Sequence, residues 1–299
     1  MRPDRLGVLA IVASAIGYGF ISVLIKLALE AGVRPLPLVA WRFAIASLAV
    51  WLLLGLRRRP LPSRSSLPRL LWLGGLYSMD ALLFTLALQW VAASTATLVF
   101  YAYPVVVVLL AAALLGERLG PRRLVATGLA TVGCALTAGG ALRGGHSLGI
   151  LLVVLSMAAL SVYIVTGRRI LDREPAHGSA AVITTACAAI LCVVAIVAGE
   201  VELGGGARGL ALVSLLAIVC TAIPITLFVV GLKRVDAGQA AIYSTLEPVV
   251  TVLTAAVVLD ERIGPVQMLG GLFILAGVLG LRSERPLPGS ERITPLDSP

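Results

Sequence analysis

Charge is what this chain has least of. Only 13% of its 299 residues are Asp, Glu, Lys or Arg, where soluble domains average about a quarter. With 59% of the residues hydrophobic and a mean hydropathy of +1.01, the composition excludes a soluble enzyme or binding module of this size and points to a membrane protein. Histidine and cysteine are scarce as well. His146 and His177 fall in loops far from any ligand partner, so no metal centre is expected. Cys134, Cys187, Cys192 and Cys220 lie in apolar stretches without CxxC spacing and read as small buried hydrophobes. No Walker A motif is present, which argues against direct ATP hydrolysis, and no cofactor is expected. An Asp-rich loop for metal and phosphate is also missing, which weakens the alternative reading, an intramembrane lipid- or prenyl-modifying enzyme. A net charge of +9 would suggest nucleic acid in a soluble chain. Here the basic residues cluster in short loops between apolar runs, so they report topology and no nucleic-acid partner is expected.

What the chain does have is apolar runs of spanning length, roughly 20 residues each. Ten are expected: Leu6 to Leu29, Leu38 to Leu56, Leu67 to Val91, Ala92 to Leu115, Leu124 to Leu142, Leu148 to Ile170, Ala180 to Ala198, Leu210 to Leu232, Ala237 to Leu259 and Val266 to Leu281. The first follows Arg2 and Arg5 and contains Ala13-Ser14-Ala15, which imitates a cleavage site, but the run continues through Leu29 and reads as a retained span. With the N-terminus inside, eighteen of the 24 Lys and Arg residues fall on the cytoplasmic side, a positive-inside bias that puts both termini in the cytoplasm.

The chain also repeats itself. Residues 88–121 and 232–265 align without a gap at an offset of 144, with sixteen identities that include Pro104/Pro248, Glu117/Glu261, Arg118/Arg262 and Pro121/Pro265. Five spans per half is odd, so the second half must cross the membrane in the opposite sense. The expected fold is therefore an all-α membrane protein of ten transmembrane helices in two inverted five-helix repeats. They occupy residues 1–142 and 143–282, with a Gly-rich join from Gly139 to Ser147 and a proline-rich, disordered tail over 283–299.

Two carboxylates lie at span centres: Asp80 in the third span and Glu247 in the ninth. An ionised acid there costs about 2.5 to 3.5 kcal/mol on insertion scales, so such groups usually face a cavity and mark a pathway. Each is a candidate proton carrier. Glu247 precedes Pro248, shares a helical face with Tyr243 and Thr251, and has the neutral Tyr103 as its repeat mate. Polar stripes converge on the same interior: Ser14, Tyr18 and Ser22; Ser156, Tyr163 and Thr166; Thr97 and Tyr101. Pro104, Pro224 and Pro248 fall within spans, where a proline leaves a carbonyl unpaired and bends the helix. Lys26 and Arg42 are expected to snorkel to the outer interface, although Arg42 lies deep enough to pair with a carboxylate. Glu117-Arg118 and Glu261-Arg262 precede Gly-Pro helix starts and read as caps or hinges.

Two inverted five-helix halves, Trp41-Arg42-Phe43 opening the second helix, Gly116-Glu117-Arg118 before the fifth and Asp260-Glu261-Arg262 before the tenth together resemble the EamA branch of the drug/metabolite transporter superfamily. The resemblance covers almost everything from Leu6 to Leu281 and is specific for family rather than substrate. It implies a bacterial inner-membrane carrier, often an exporter of amino acids or related metabolites, with a cavity bounded by helices 1, 3, 4, 6, 8 and 9. By position it places Ser14, Tyr18, Asp80, Tyr101, Tyr163, Thr221, Tyr243 and Glu247 along the path. The implied partners are a small-molecule substrate, protons and the lipid bilayer, with the chain either a monomer or a homodimer.

Overall fold

The computed structural model describes residues 5–115, 146–171, 174–232, 243–244, 246–261 and 264–280, with isolated positions between 121 and 136 and at 234. The fifth expected span, the Gly-rich join, Glu117-Arg118, Arg262, Cys134, the start of the ninth span and the tail lie largely or wholly outside the described residues. Among the described residues every regular element is helical, and the one extended contact is an isolated antiparallel bridge between Val33 and Gly204.

The helices are α1 (Arg5–Gly19), α2 (Ile21–Glu30), α3 (Pro35–Leu56), α4 (Leu67–Ala87), α5 (Ala93–Phe100), α6 (Tyr103–Leu115), α7 (Ser147–Leu171), α8 (Ala176–Val197), α9 (Gly206–Ala217), α10 (Ile223–Leu232), α11 (Leu246–Val258) and α12 (Pro265–Gly280). A 3-10 turn, Arg64–Ser66, precedes α4, and a π-helical segment, Ile218–Ala222, joins α9 to α10. Among the described residues, six helical stretches are long and apolar enough to cross a membrane: Arg5–Glu30, Pro35–Leu56, Arg64–Ala87, Ser147–Gly167, Ala176–Val197 and Gly206–Gly231.

Local chemistry sets several boundaries. Pro35 and Pro265 open α3 and α12, where a missing N–H costs nothing and the fixed φ suits the first turn. Gly204 and Gly205 hold positive φ values of 76° and 68° just before α9. A Cβ on Gly204 would lie 2.4 Å from the Gly32 carbonyl oxygen, so only glycine allows the loop to pair with Val33. Two expected spans are broken by the backbone. The first is interrupted at Phe20, and the fourth at Tyr101 and Ala102, with Pro104 in the first turn of α6. The third ends at Ala87 rather than Val91, because the apolar residues Leu88 and Val91 are buried in a turn rather than in helix.

Inside the bundle, hydroxyls bond back to their own helices, as Ser78 does to the Gly74 carbonyl at 2.6 Å and Ser161 to that of Met157 at 2.7 Å. This removes polar groups from the lipid problem without a partner helix. Small residues bring helices close: a Cβ on Gly74 of α4 would meet that of Ala186 of α8 at 2.4 Å. Large apolar side chains face outward instead, including Leu52, Trp72, Ile196 and Leu272. In a bilayer they meet acyl chains.

Packing links early helices to late ones. α1 lies against α10 and α11, α4 against α7 and α8, α3 against α8, and α6 against α7. At one end of the bundle the Arg34 amide donates to the Leu203 carbonyl at 3.1 Å beside the Val33 bridge. At the other, Glu174 accepts from the Ser63 amide at 2.9 Å and from its hydroxyl at 2.8 Å.

Candidate functional site

The early and late helices enclose a cavity of about 110 Å³. Its charged lining comes from three places: Arg42 on α3, Asp80 on α4 and Glu247 on α11. Its apolar wall is largely aromatic, with Tyr18, Tyr77, Phe84, Phe100, Tyr103, Tyr163 and Phe228. Tyr77 and Tyr163 stack with ring centroids 5.4 Å apart, and Phe43 and Tyr77 meet edge to face with centroids 5.5 Å apart, so the wall is a packed layer rather than a loose fringe.

Each charged group is positioned by a neighbour. Asp80 is 6% exposed and accepts from the Ser156 hydroxyl at 2.5 Å. Because Ser156 lies on α7, this contact ties the third expected span to the sixth. Glu247 sits in the first turn of α11 and accepts from the Tyr101 hydroxyl at 3.1 Å. The same phenol donates to the Ser244 carbonyl. Arg42 is 3% exposed, and its Nε–H donates to Thr221 Oγ1 at 2.7 Å. Thr221, in the π-helical segment, in turn donates to the Leu216 carbonyl of α9 at 3.0 Å. That hydroxyl therefore presents lone pairs to the arginine.

Of the residues expected on the path, Asp80, Glu247, Tyr18 and Tyr163 line the cavity together. Tyr101 lies behind it, fully buried, and reaches it through Glu247. Thr221 also lies behind it, as the acceptor for Arg42. Ser14 is directed elsewhere, donating to the Pro224 carbonyl at 2.8 Å, and Tyr243 packs beside Ile11. Pro224 is the second residue of α10, immediately after the π-helical segment, and Pro248 lies in the first turn of α11 beside Glu247.

Arg42 is the main correction. Snorkelling to an interface does not occur, because α3 begins at Pro35 and seven further residues carry the side chain roughly 10 Å along the helix, on a face that meets α9 and the π-helical segment. Phe84 and Tyr103 were also missed as lining residues. Tyr77, Asp80 and Phe84 share the i, i+3, i+7 face of α4, so that periodicity was the available signal. Glu261 makes a contact of a kind that spacing does not reveal. Its carboxylate accepts from the Ala93 and Ser94 amides at 2.8 and 3.1 Å and from the Ser94 hydroxyl at 2.7 Å. It thus caps α5, not the helix that follows it in sequence.

Apolar helices of spanning length around a charged cavity describe a multi-pass membrane protein. The chain belongs to the EamA-like transporter family, whose profile matches residues 5–139 and again 147–283. It is similar to a protein of Bacillus subtilis (strain 168) described as an uncharacterized transporter, YcbK, at 26% identity over 293 residues, covering 92% of this chain and 93% of that one. A solved crystal structure shares the fold with a TM-score of 0.69 at 24% identity, covering 93% of this chain and 98% of the other.

Proposed function

We propose that this chain exports a small organic metabolite, an amino acid or a related compound, by alternating access of two inverted five-helix halves. The energy comes from a proton gradient or from the solute's own gradient. The observation that carries this reading is the placement of Arg42, Asp80 and Glu247 around one cavity whose walls come from both halves of the sequence. Isolated charges are costly among apolar helices, and a pathway is the usual reason for their presence.

The packing supports the inversion. Exchanging each half for its repeat turns the α1–α10 contact into the α7–α4 contact, and the α1–α11 contact into the α7–α6 contact, while α3–α8 maps onto itself. The loop contacts agree. The end of α2 meets the loop before α9, whereas the end of α7 meets the loop before α4 at the opposite end. α1–α2 and α7 thus run in opposite senses, as an axis in the membrane plane requires. In this reading ten helices span the bacterial inner membrane with both termini cytoplasmic. The halves divide near residue 142.

Reconstitution tests it. Flux into proteoliposomes is measured with and without a pH gradient, in a cysteine-free background carrying either Arg34→Cys with Leu203→Cys or Ser63→Cys with Glu174→Cys. Crosslinking either pair is expected to stop flux, and reduction to restore it. Flux that continues unchanged with both ends crosslinked rules out rocking of the halves.

A further inference from the structure

Arg42 has more hydrogen-bonding capacity than the protein uses. A guanidinium carries five N–H bonds. One, on Nε, is taken by Thr221 at 2.7 Å. Among the described residues the terminal amino groups have no acceptor, although the side chain is 3% exposed and lines the cavity. Asp80 on the same cavity interacts with the cation electrostatically but makes no hydrogen bond to it, so the amino groups face the cavity with donors that a ligand can satisfy.

The two acids on the same cavity are held by other donors, Asp80 by Ser156 and Glu247 by Tyr101. Meanwhile the Thr221 hydroxyl, its own proton given to Leu216, fixes the guanidinium from the Nε side. The face of Phe43 lies 5.1 Å from the guanidinium carbon and further limits its rotation. What remains open is the end-on edge formed by the two amino groups, whose parallel N–H bonds match the two oxygens of a carboxylate.

We propose that Arg42 is the specificity-determining residue of the cavity, binding a carboxylate of the transported solute through its end-on edge, with Thr221 as its positioning residue. The solute class is then defined by a free carboxylate. Amides of the same compounds are poor solutes, since in place of the carboxylate they offer one acceptor oxygen and no negative charge. This rests on reading the cavity as the solute path.

The test is counterflow of matched pairs by the full chain in proteoliposomes: phenylalanine against phenylalaninamide, leucine against leucinamide, and 3-phenylpropionate against 3-phenylpropionamide. Wild type is expected to prefer acids at least about tenfold, the scale of a lost hydrogen bond to a charged group. Arg42→Gln is expected to bring acids down to the amide level, and Arg42→Lys to keep part of the preference. Thr221→Val is expected to raise the KM for acids about three- to tenfold, the scale of one loosened hydrogen bond, at an unchanged saturating rate. If Arg42→Gln does not yield a folded, monodisperse protein, Arg42→Lys and Thr221→Val decide. Equal acid and amide flux in wild type overturns the proposal and leaves the transporter reading intact, as does an acid preference that survives substitution of Arg42. Absence of flux for acids and amides alike overturns the reading of an amino acid or related compound as solute, and this proposal with it, while the family assignment stands.

Discussion

Asp80 and Glu247 face one cavity from different halves of the chain, yet they are held in different ways. Asp80 projects from the interior of an unbroken helix and is gripped by one short contact to Ser156 on another long helix. Glu247 stands in the first turn of α11 and shares one phenolic proton with the Ser244 carbonyl. A carboxyl on a rigid rod with a dedicated donor is built to stay. A carboxyl at a helix start, with a donor it can lose to a carbonyl, is built to exchange. On the proposed function, this difference favours Glu247 as the group that handles protons or solute and Asp80 as the group that also holds α4 against α7.

That contrast fails first, if it fails, at Glu247. Glu247→Gln keeps the shape and loses the titration, so it is expected to abolish flux driven by a pH gradient while leaving counterflow intact. Should the wild-type pH profile persist in this variant, the roles of the two acids must be exchanged. Ser156→Ala probes the other side. It leaves a buried carboxylate without its donor, with an expected loss of about 1 to 3 kcal/mol read as a lower unfolding temperature. Its flux is expected to fall only in proportion to folded protein.

Tyr101→Phe sharpens the comparison by removing the shared proton. One net hydrogen bond contributes about 1 kcal/mol, so flux is expected to drop severalfold while the Asp80 side is unaffected. The smallest effect belongs to Glu261. Glu261→Gln keeps a capping oxygen for α5 but loses the charge, for about 0.3 to 1 kcal/mol, and the solute profile is expected to stay the same. A changed profile shows that the cap reaches the pathway.

Hydropathy made most helices legible because a lipid-exposed helix must be apolar along its whole length. The α3, α7, α8 and α12 limits follow from that and from Pro35 and Pro265. The interruption at Tyr101–Ala102 was signalled by Pro104, but the one at Phe20 was not legible, since that residue is as apolar as its neighbours and only the backbone changes. Asp80 and Glu247 announced themselves by depth. Arg42 did not, because depth alone cannot say whether an arginine near a helix end turns outward to headgroups or inward to Thr221; the rotation of α3 against α9 and the π-helical segment decides that. The Glu261 cap joins residues 168 apart in sequence, a distance no local pattern spans.

The π-helical segment has a consequence for how this chain tolerates insertion and deletion. Residues 218–222 wind one residue wider than an α-turn, and an α-helix advances about 100° per residue. Removing one residue there would convert the segment to ordinary α-helix and leave α10 in register with α1. The same deletion anywhere else along α9 or α10 would turn one part of the rod against the other and scramble its packing. A library of single-codon deletions should therefore contain one tolerated window in this span, and the chains that survive through it should be folded proteins in which Arg42 has lost its anchor.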